Sequence, residues 1–185
     1  GAVDPADYAR QAKLHIDALK EAHADCEPML AAMSTTAGSA RDMDAAVFFE
    51  QMLAAEPNIF DKISCISSHS YGRNGPNGTG RASVRAYQWE LATLRRLGVA
   101  KDFCVLITET GRPHAEGIVH KPQYHSIDTL TSFYEAYLDI PQNDPIVHST
   151  HPFLLKDCDQ FNNFSWVDCS TNQLYPFAEV LKNKP

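Results

Sequence analysis

Apolar and polar residues along this chain follow two periods, one typical of amphipathic helices and one typical of buried strands. In "DPADYARQAKLHIDALKEAHA", Asp4 can cap a helix and Pro5 suits its first turn. Apolar residues then recur at helical spacing, at Tyr8, Ala12, Ile16 and Leu19. The same spacing predicts helices in "RDMDAAVFFEQMLAAEPN", "ASVRAYQWELATLRRLG" and "YHSIDTLTSFYEAYLDI", and a short helix or tail in "LYPFAEVLKNKP".

Four shorter apolar runs alternate with these helices and predict strands. They are Met29–Met33, "FDKISCISSHSY", "DFCVLITETG" and "FNNFSWVDCS". The segment "NDPIVHSTHPFLLKDCDQ" has no regular period and predicts no element. Strands that alternate with helices predict an α/β fold of parallel βα units, with helices on both faces of the sheet. No linker or repeat interrupts residues 1–185, so we expect a single domain.

Composition and charge narrow the partners that this domain can have. The chain has 185 residues, 44% of them hydrophobic, which is enough for one sizeable core. Its net charge of -7 and the absence of a Lys/Arg stripe argue against a nucleic-acid partner. Every apolar run is far shorter than the roughly 18 residues that a membrane span needs. We therefore expect neither nucleic acid nor membrane as a partner.

The five cysteines give no sign of a metal site. Their odd number leaves at least one unpaired, and none lies in a CxxC pair or near a histidine at zinc spacing. Cys65 and Cys104 fall inside apolar strands, where a buried free thiol behaves as a small hydrophobe. No carboxylate or cysteine accompanies the histidines at a ligand spacing either. We expect no metal and no cofactor.

Polar residues follow directly after each of the four apolar runs. The ends of the predicted strands contain "STTAG", "SHSYG", "TETG" and "SWVD". In parallel α/β folds, ligands bind at the carboxyl ends of the strands. Four polar ends in succession therefore predict one shared site at this edge of the sheet.

Glu109 is the main candidate for chemistry in that site. It closes "CVLITE", and a carboxylate at the end of a buried strand is costly unless it is hydrogen-bonded or paired. A catalytic carboxylate and a structural cap or ion-pair partner both fit this position. His69 and Tyr71, two residues apart, share a strand face and are candidate site residues. Trp166 is a candidate aromatic platform or a core residue, and His114 follows Glu109 closely enough to line the same mouth.

The order of four motifs resembles the clan A glycoside hydrolases, which are retaining (βα)8-barrel enzymes. The motifs are "SSHSY", "YQWEL", "VLITETG" and "FNNFSWVD". The resemblance covers nearly the whole chain but implies only strands five to eight of such a barrel. It thus implies a half-barrel, to be closed by a second polypeptide or a second copy of the chain. It also implies action on β-linked oligosaccharides or polysaccharides, and an extracellular or periplasmic setting.

The resemblance also assigns roles to individual residues. It implies that Glu109 is the nucleophile, that His69 and Tyr71 flank the sugar and the nucleophile, and that Trp166 floors the sugar subsite. Arg112 stands where related sequences often carry a tryptophan at the sugar. The acid/base glutamate of the clan follows strand four, which implies that it lies outside this chain. Glu116 and Asp168 are alternatives by position only.

The glycine-rich segment "GPNGTGRAS" raises a different possibility, a nucleotide-binding loop. Gly75 and Gly80 have P-loop spacing, with a strand before them and a helix after. However, Arg81 replaces the lysine, Ala82 replaces the hydroxyl residue that holds Mg²⁺, and "YGRN" separates strand and loop. We expect a mobile loop at the rim of the cleft, with Ser83 capping the next helix. A carbohydrate-binding or structural fragment without turnover is the nearer alternative to an enzyme.

Overall fold

The described part of the chain comprises a helical layer, a parallel sheet and an irregular carboxyl-terminal region. A computed structural model describes residues 3–36 and 42–182, without the side chains at positions 141, 142, 181 and 182. Its α-helices are α1 (Pro5–Ala22), α2 (Ala45–Ala55), α3 (Ala86–Arg96), α4 (Ile127–Asn143) and α5 (Glu179–Lys182). Its strands are β1 (Cys65–His69), β2 (Cys104–Thr110), β3 (Val147–Pro152), β4 (Val167–Asp168) and β5 (Gln173–Leu174).

Side-chain caps explain where the longer helices begin. The Asp4 carboxylate accepts a hydrogen bond of 2.9 Å from the amide of Asp7, which confirms the predicted start of α1. Asp44 and Ser126 cap α2 and α4 in the same way. The cap predicted for α3 is wrong in position, because Ser83 accepts from the Arg85 amide in the turn before the helix.

The three long strands form a parallel sheet in the order β1-β2-β3. Because the order advances in one direction and parallel crossovers are right-handed, α3 and α4 lie on the same side of the sheet. There α3 packs on β1 and α4 on β3. Ile66, Val105 and Ile107 are buried on this side, whereas the alternate residues are only half-buried. The prediction of helices on both faces is therefore wrong for the described structure.

We call the second side the open sheet face. It carries alternate residues of β1 and β2, namely Cys65, Ser67, His69, Cys104, Leu106 and Thr108. The helix side, by contrast, is continuous with an aromatic core in which Tyr87, Tyr134, Tyr137 and Phe177 have almost no exposed surface. The described sheet therefore has one face covered by helices and one open face.

The third parallel strand comes from the segment for which the sequence predicts no element. In β3 the polar residues His148 and His151 are exposed, and only Val147 is fully buried. A half-buried edge strand of this kind lacks the continuous apolar run that marks the other two strands. The pattern of apolar residues therefore does not reveal it.

The strand predicted in "FNNFSWVDCS" is wrong. Residues Asn162–Phe164 form a 3-10 turn, and only Val167–Asp168 is extended, paired antiparallel with Gln173–Leu174. The Asn163 side chain accepts from the Val119 amide and donates to the carbonyl oxygen of His114. Asparagine side chains that bond neighbouring loops compete with a strand ladder, which explains the irregular backbone here.

Met29–Met33 is also not a regular strand, although it runs beside β1. The Ala31 amide donates to the Tyr8 hydroxyl, and the Leu30 carbonyl accepts from the Ser67 hydroxyl. A parallel bridge between Ser34 and His69 holds the end of the segment against the sheet. Side chains thus satisfy backbone groups that a ladder would otherwise use. The predicted end of this segment at Gly38 lies outside the described residues.

Four of the five cysteines form disulfides, which the sequence does not predict. Cys65 and Cys104 form a disulfide across β1 and β2, which corrects the expectation of buried free thiols, and Cys158 pairs with Cys169. Cys26 stays unpaired, as the odd number requires.

None of the helices in the described ranges combines the length and the apolar composition that crossing a membrane requires.

Helix α3 buries a carboxylic acid, Glu90, which is only 1% exposed. It borders a cavity of about 20 Å³ whose other walls include Phe60 and Ile66. Burial raises the pKa of Glu90 from 4.5 to about 8, and hydrogen bonding from Ser68 offsets this only in part. Glu90 is therefore protonated in the folded chain at neutral pH.

We predict that Glu90 makes the fold less stable as pH rises from 4.5 to about 8. In this window the unfolded chain releases the Glu90 proton and the folded chain keeps it, so stability present below pH 4.5 is progressively lost. The slope from this residue approaches about 1.4 kcal/mol per pH unit. Denaturant unfolding at several pH values should show the slope disappearing in Glu90→Gln and persisting in Glu50→Gln, at an exposed α2 position. Equal slopes in both variants contradict the assignment.

Candidate active site

A register shift between β1 and β2 brings His69 and Glu109 together. Cys65 through Ser68 pair in step with Cys104 through Ile107, but His69 then pairs with Glu109 and skips Thr108. Strict alternation would place Glu109 on the helix side with Val105 and Ile107. The extra residue works as a bulge and moves Glu109 to the face that carries His69.

The Glu109 carboxylate is held at this position by two neighbours. The Tyr71 hydroxyl donates a hydrogen bond of 2.9 Å to Glu109 Oε2, and His69 Nδ1 lies 3.5 Å from the same oxygen. The Glu109 side chain keeps 34% of its surface exposed. It is thus oriented by protein groups and still open to a ligand.

The protonation states of these neighbours follow from their surroundings. Burial raises the pKa of Tyr71, and the adjacent Glu109 carboxylate raises it further, so the phenol remains a hydrogen-bond donor. Burial lowers the pKa of His69 below 6.5, although the negative charge of Glu109 opposes that shift. At neutral pH, Glu109 therefore faces a neutral phenol and a neutral imidazole.

These residues open into a cleft of about 880 Å³ at the carboxyl ends of the strands. Three phenylalanines, Phe153, Phe161 and Phe164, form an aromatic wall within it. The ring centre of Phe153 lies 5.3 Å from that of Phe161 and 5.8 Å from that of Phe164. The pattern of apolar residues does not reveal this wall, because Phe153 follows the half-buried, polar strand β3 and the other two phenylalanines lie in an irregular segment.

Arg112 lines the cleft, but its guanidinium is largely engaged. It donates to the Gly72 carbonyl, lies 2.8 Å from His125 Nε2 and stacks 4.3 Å from the centre of the Phe133 ring. Arg112 therefore joins the loop after β1 to helix α4 and shapes one wall of the cleft.

Two other predicted site residues are not brought to the cleft. Trp166 is 2% exposed and packs against Tyr134 and Phe177, with ring centres 4.6 and 5.3 Å away. His114 is 1% exposed, and its Nε2 lies 3.0 Å from the carbonyl oxygen of Ser165. The expectation that they contact a sugar is corrected here, because both are packed in the interior rather than among the cleft residues.

Among the described residues that line the cleft, Glu109 is the only carboxylate. Glu116 is exposed elsewhere, and the Asp168 carboxylate accepts hydrogen bonds from Ser170 and Thr171 in a turn. The described lining also provides no group of three carboxylate, histidine or cysteine ligands for a metal. The chemistry available in this part of the chain is that of one oriented carboxylate.

The glycine-rich loop does not present its arginine as a phosphate ligand. Arg81 donates to the Thr35 carbonyl at 2.7 Å and to the Asp44 carboxylate at 2.6 Å. Its guanidinium also lies 4.2 Å from the centre of the Trp89 ring. These contacts tie the loop to α2 and α3 and engage the arginine that stands in place of the P-loop lysine.

Comparison with solved structures finds the same fold in glycoside hydrolases. No protein-family model matches the sequence, and no curated protein matches it. A GH128 (subgroup II) endo-beta-1,3-glucanase from Sorangium cellulosum superposes with a TM-score of 0.64 over 96% of this chain, at 18% identity. AbfB, a family 51 alpha-L-arabinofuranosidase from Bifidobacterium longum, gives 0.58 over 97% at 17% identity. A variant of the endo-beta-1,4-glucanase Xac0030 from Xanthomonas axonopodis pv. citri gives 0.54 over 97% at 12% identity.

The chain spans only part of each of these proteins. It covers 63% of the GH128 enzyme, 40% of AbfB and 55% of Xac0030. At these low identities the likeness concerns the fold. The chain therefore has a glycoside-hydrolase-like α/β fold with a parallel three-stranded sheet.

We predict that the charge of Glu109 controls the titration of His69. In Glu109→Gln the imidazole loses its negative neighbour, so the pKa of His69 should fall further below 6.5. Histidine ring signals followed by NMR across pH measure this shift directly. Glu135→Gln, at an exposed position of α4, should leave the His69 titration unchanged. An unchanged or higher His69 pKa in Glu109→Gln contradicts the described contact.

Proposed function

We propose that this chain is the nucleophile-bearing half of a retaining β-glycoside hydrolase. The observation that carries the proposal is the Glu109 carboxylate, hydrogen-bonded by Tyr71 at the end of β2 and exposed to a large cleft. The glycosidase-like fold supports it, since ligand sites of parallel βα folds lie at this edge of the sheet.

In this mechanism Glu109 attacks the anomeric carbon and forms a covalent glycosyl-enzyme, which water then hydrolyses. The Tyr71 and His69 contacts both fall on Oε2, so we assign the attack to Oε1. Tyr71 fixes the carboxylate rotamer, and neutral His69 is a hydrogen-bonding group for a sugar hydroxyl. Attack on the anomeric carbon requires a carboxylate that is ionised and already oriented when the substrate binds.

The leaving oxygen must receive a proton from a second carboxyl group. Retaining enzymes place it about 5–5.5 Å from the nucleophile. Because the described cleft lining offers only Glu109, we assign the acid/base to a residue outside it, on the polypeptide that completes the cleft.

A β-linked oligosaccharide or polysaccharide is the substrate class that we propose. Pyranose rings present apolar faces of C–H bonds, and Phe153, Phe161 and Phe164 offer flat apolar surfaces for them in the cleft. The cleft volume of about 880 Å³ is sufficient for more than one sugar unit. Two of the similar structures are named as endo-acting β-glucanases, which supports the same class.

A 2-deoxy-2-fluoro glycoside with a dinitrophenolate leaving group tests the nucleophile. This leaving group departs without protonation, so the reagent does not need the acid/base residue. We expect intact-mass spectrometry to show one added fluoroglycosyl group, and peptide mapping to locate it on Glu109. Glu109→Gln should not be labelled, and Tyr71→Phe should be labelled more slowly because its carboxylate is no longer oriented.

Glu135→Gln is the matched control for this experiment and should be labelled like the unaltered chain, since Glu135 is exposed on α4. Labelling at another carboxylate contradicts the assignment of Glu109. Saturable binding of oligosaccharide without any labelling favours the alternative function, a carbohydrate-binding fragment without turnover.

We further propose that the chain is half of a (βα)8 barrel, closed by another polypeptide or by a second copy. Two features of the sheet support this architecture. The helices α3 and α4 cover one side only, as the outer helices of a barrel do. The open sheet face then corresponds to the barrel interior, with Leu106 at its centre. A sheet face without covering helices and an unpaired edge of the sheet both favour association with another polypeptide.

We predict that the purified chain self-associates or requires a partner polypeptide. Light scattering should give a mass above 20.5 kDa, or the chain should bind a hydrophobic dye at the open sheet face. Leu106→Lys places a charge on that face and should abolish self-association, whereas Leu14→Lys, at an exposed α1 position, should not. A monodisperse 20.5 kDa species that binds no dye contradicts the half-barrel proposal.

A further inference from the structure

Three metal-ligand side chains from three different strands meet on the open sheet face. They are Cys65 on β1, Cys104 on β2 and His148 on β3. Their sulfur and ring nitrogen atoms all lie within 4.8 Å of one another. Within the described part of the chain, this is the one group of three such ligands that lie so close together.

The positions of the three residues follow from the strand register. Cys65 and Cys104 are directly opposite each other in the parallel ladder, with Cα atoms 4.4 Å apart. His148 lies on the other side of β2, next to the pairing of Val105 with Val147. The sheet itself therefore holds the three Cα atoms, and only side-chain rotations are needed to alter the cluster.

This cluster is separate from the candidate active site. Cys104 begins β2 and Glu109 lies five residues further on, a distance of roughly 16 Å along an extended strand. The cluster is thus at the amino ends of the strands, whereas the cleft is at their carboxyl ends. Occupancy of one does not require occupancy of the other.

We propose that Cys65, Cys104 and His148 form a redox-gated zinc site. In the oxidised chain, Cys65 and Cys104 share a disulfide and cannot serve as thiolate ligands. In the reduced chain, their two thiolates and the His148 imidazole make a Cys2His set, which suits Zn²⁺. A water molecule or a fourth side chain completes the tetrahedron.

The separation of the ligand atoms is compatible with a single ion. Zn²⁺ binds sulfur at about 2.3 Å and imidazole nitrogen at about 2.0–2.1 Å, so tetrahedral ligands lie roughly 3.5–4 Å apart. The three atoms already fall within 4.8 Å of one another. In the chain by itself, before another polypeptide covers the open sheet face, His148 is exposed and Cys65 and Cys104 are half-buried, so an ion can reach them from solvent.

The two states are linked by a balanced reaction. A dithiol or phosphine reductant supplies two electrons, the sulfur–sulfur bond breaks, and two protons convert the sulfurs to thiols while the reductant is oxidised. Binding of Zn²⁺ then displaces the two thiol protons and leaves two zinc–thiolate bonds. A small-molecule disulfide reverses the change: it takes two electrons from the Cys65 and Cys104 thiolates and leaves as two thiolates, so that the sulfur–sulfur bond forms again and the ion is released.

The second disulfide provides an internal comparison. Cys158 and Cys169 are also paired, but in the described ranges no third ligand atom lies within 4.8 Å of both of their sulfurs. Reduction should therefore create a zinc site at the first pair and not at the second.

Cobalt(II), a spectroscopic substitute for zinc, is the probe for the test. The full chain is reduced with a phosphine, desalted without oxygen and titrated with Co²⁺. We expect a single Co²⁺ per reduced chain with sulfur-to-metal charge-transfer absorption, displaced by Zn²⁺, and none of this absorption in the oxidised chain. Cys65→Ser or Cys104→Ser should lose the absorption, and His148→Ala should weaken binding at least about tenfold.

Matched variants separate the proposed site from general thiol binding. His151→Ala, at another exposed β3 histidine, and the double variant Cys158→Ser with Cys169→Ser should bind Co²⁺ like the parent. Equal binding by oxidised and reduced chains, or unchanged binding by His148→Ala, overturns the proposal.

A measurement on the unaltered chain avoids any effect of the substitutions on folding. After reduction, Zn²⁺ should protect Cys65 and Cys104 from alkylation and leave Cys158 and Cys169 reactive, as read by peptide mass spectrometry. Uniform alkylation of all four cysteines in the presence of Zn²⁺ also overturns the proposal.

Discussion

The candidate site depends on one extra residue in the pairing of β1 with β2. Up to Ser68 and Ile107 the two strands advance together, and then Thr108 is passed over so that His69 meets Glu109. Without that bulge, alternation would turn Glu109 towards the buried helix side, where an ionised carboxylate is costly. With it, the carboxylate reaches the open cleft and the Tyr71 hydroxyl.

The helices serve this arrangement by fixing both strands from one side. Buried Ile66, Val105 and Ile107 anchor the sheet to the helical layer, so the opposite side chains are held in register without being fully covered. Thr110 donates to the Ser70 carbonyl and ties the two strand ends together beyond the bulge. A stable scaffold and an accessible reactive edge thus come from the same alternation of side chains.

Sequence reasoning predicted the elements whose pattern is local, and missed those that depend on tertiary contacts. The helices and the strands β1 and β2 follow from apolar periodicity. The carboxyl ends of parallel strands lie at one edge of a sheet, which predicted that His69, Tyr71 and Glu109 lie close together. Strand β3 is half-buried and polar, so it carries no such pattern. Trp166 was a candidate cleft residue because it lies on the last predicted strand. Its burial against Tyr134 and Phe177 depends on tertiary packing, which the local sequence pattern does not show. Cys65 and Cys104 could be paired only once the register was known.

The anomeric configuration of the first product tests the proposed mechanism most directly. The chain, together with the partner polypeptide that we propose as the source of its acid/base, would be given a β-linked oligosaccharide while proton NMR follows the newly formed reducing end. If Glu109 forms a covalent intermediate, two displacements occur and the β-anomer must appear first, before mutarotation. Initial formation of the α-anomer would mean a single displacement by water, and would contradict a nucleophilic role for Glu109.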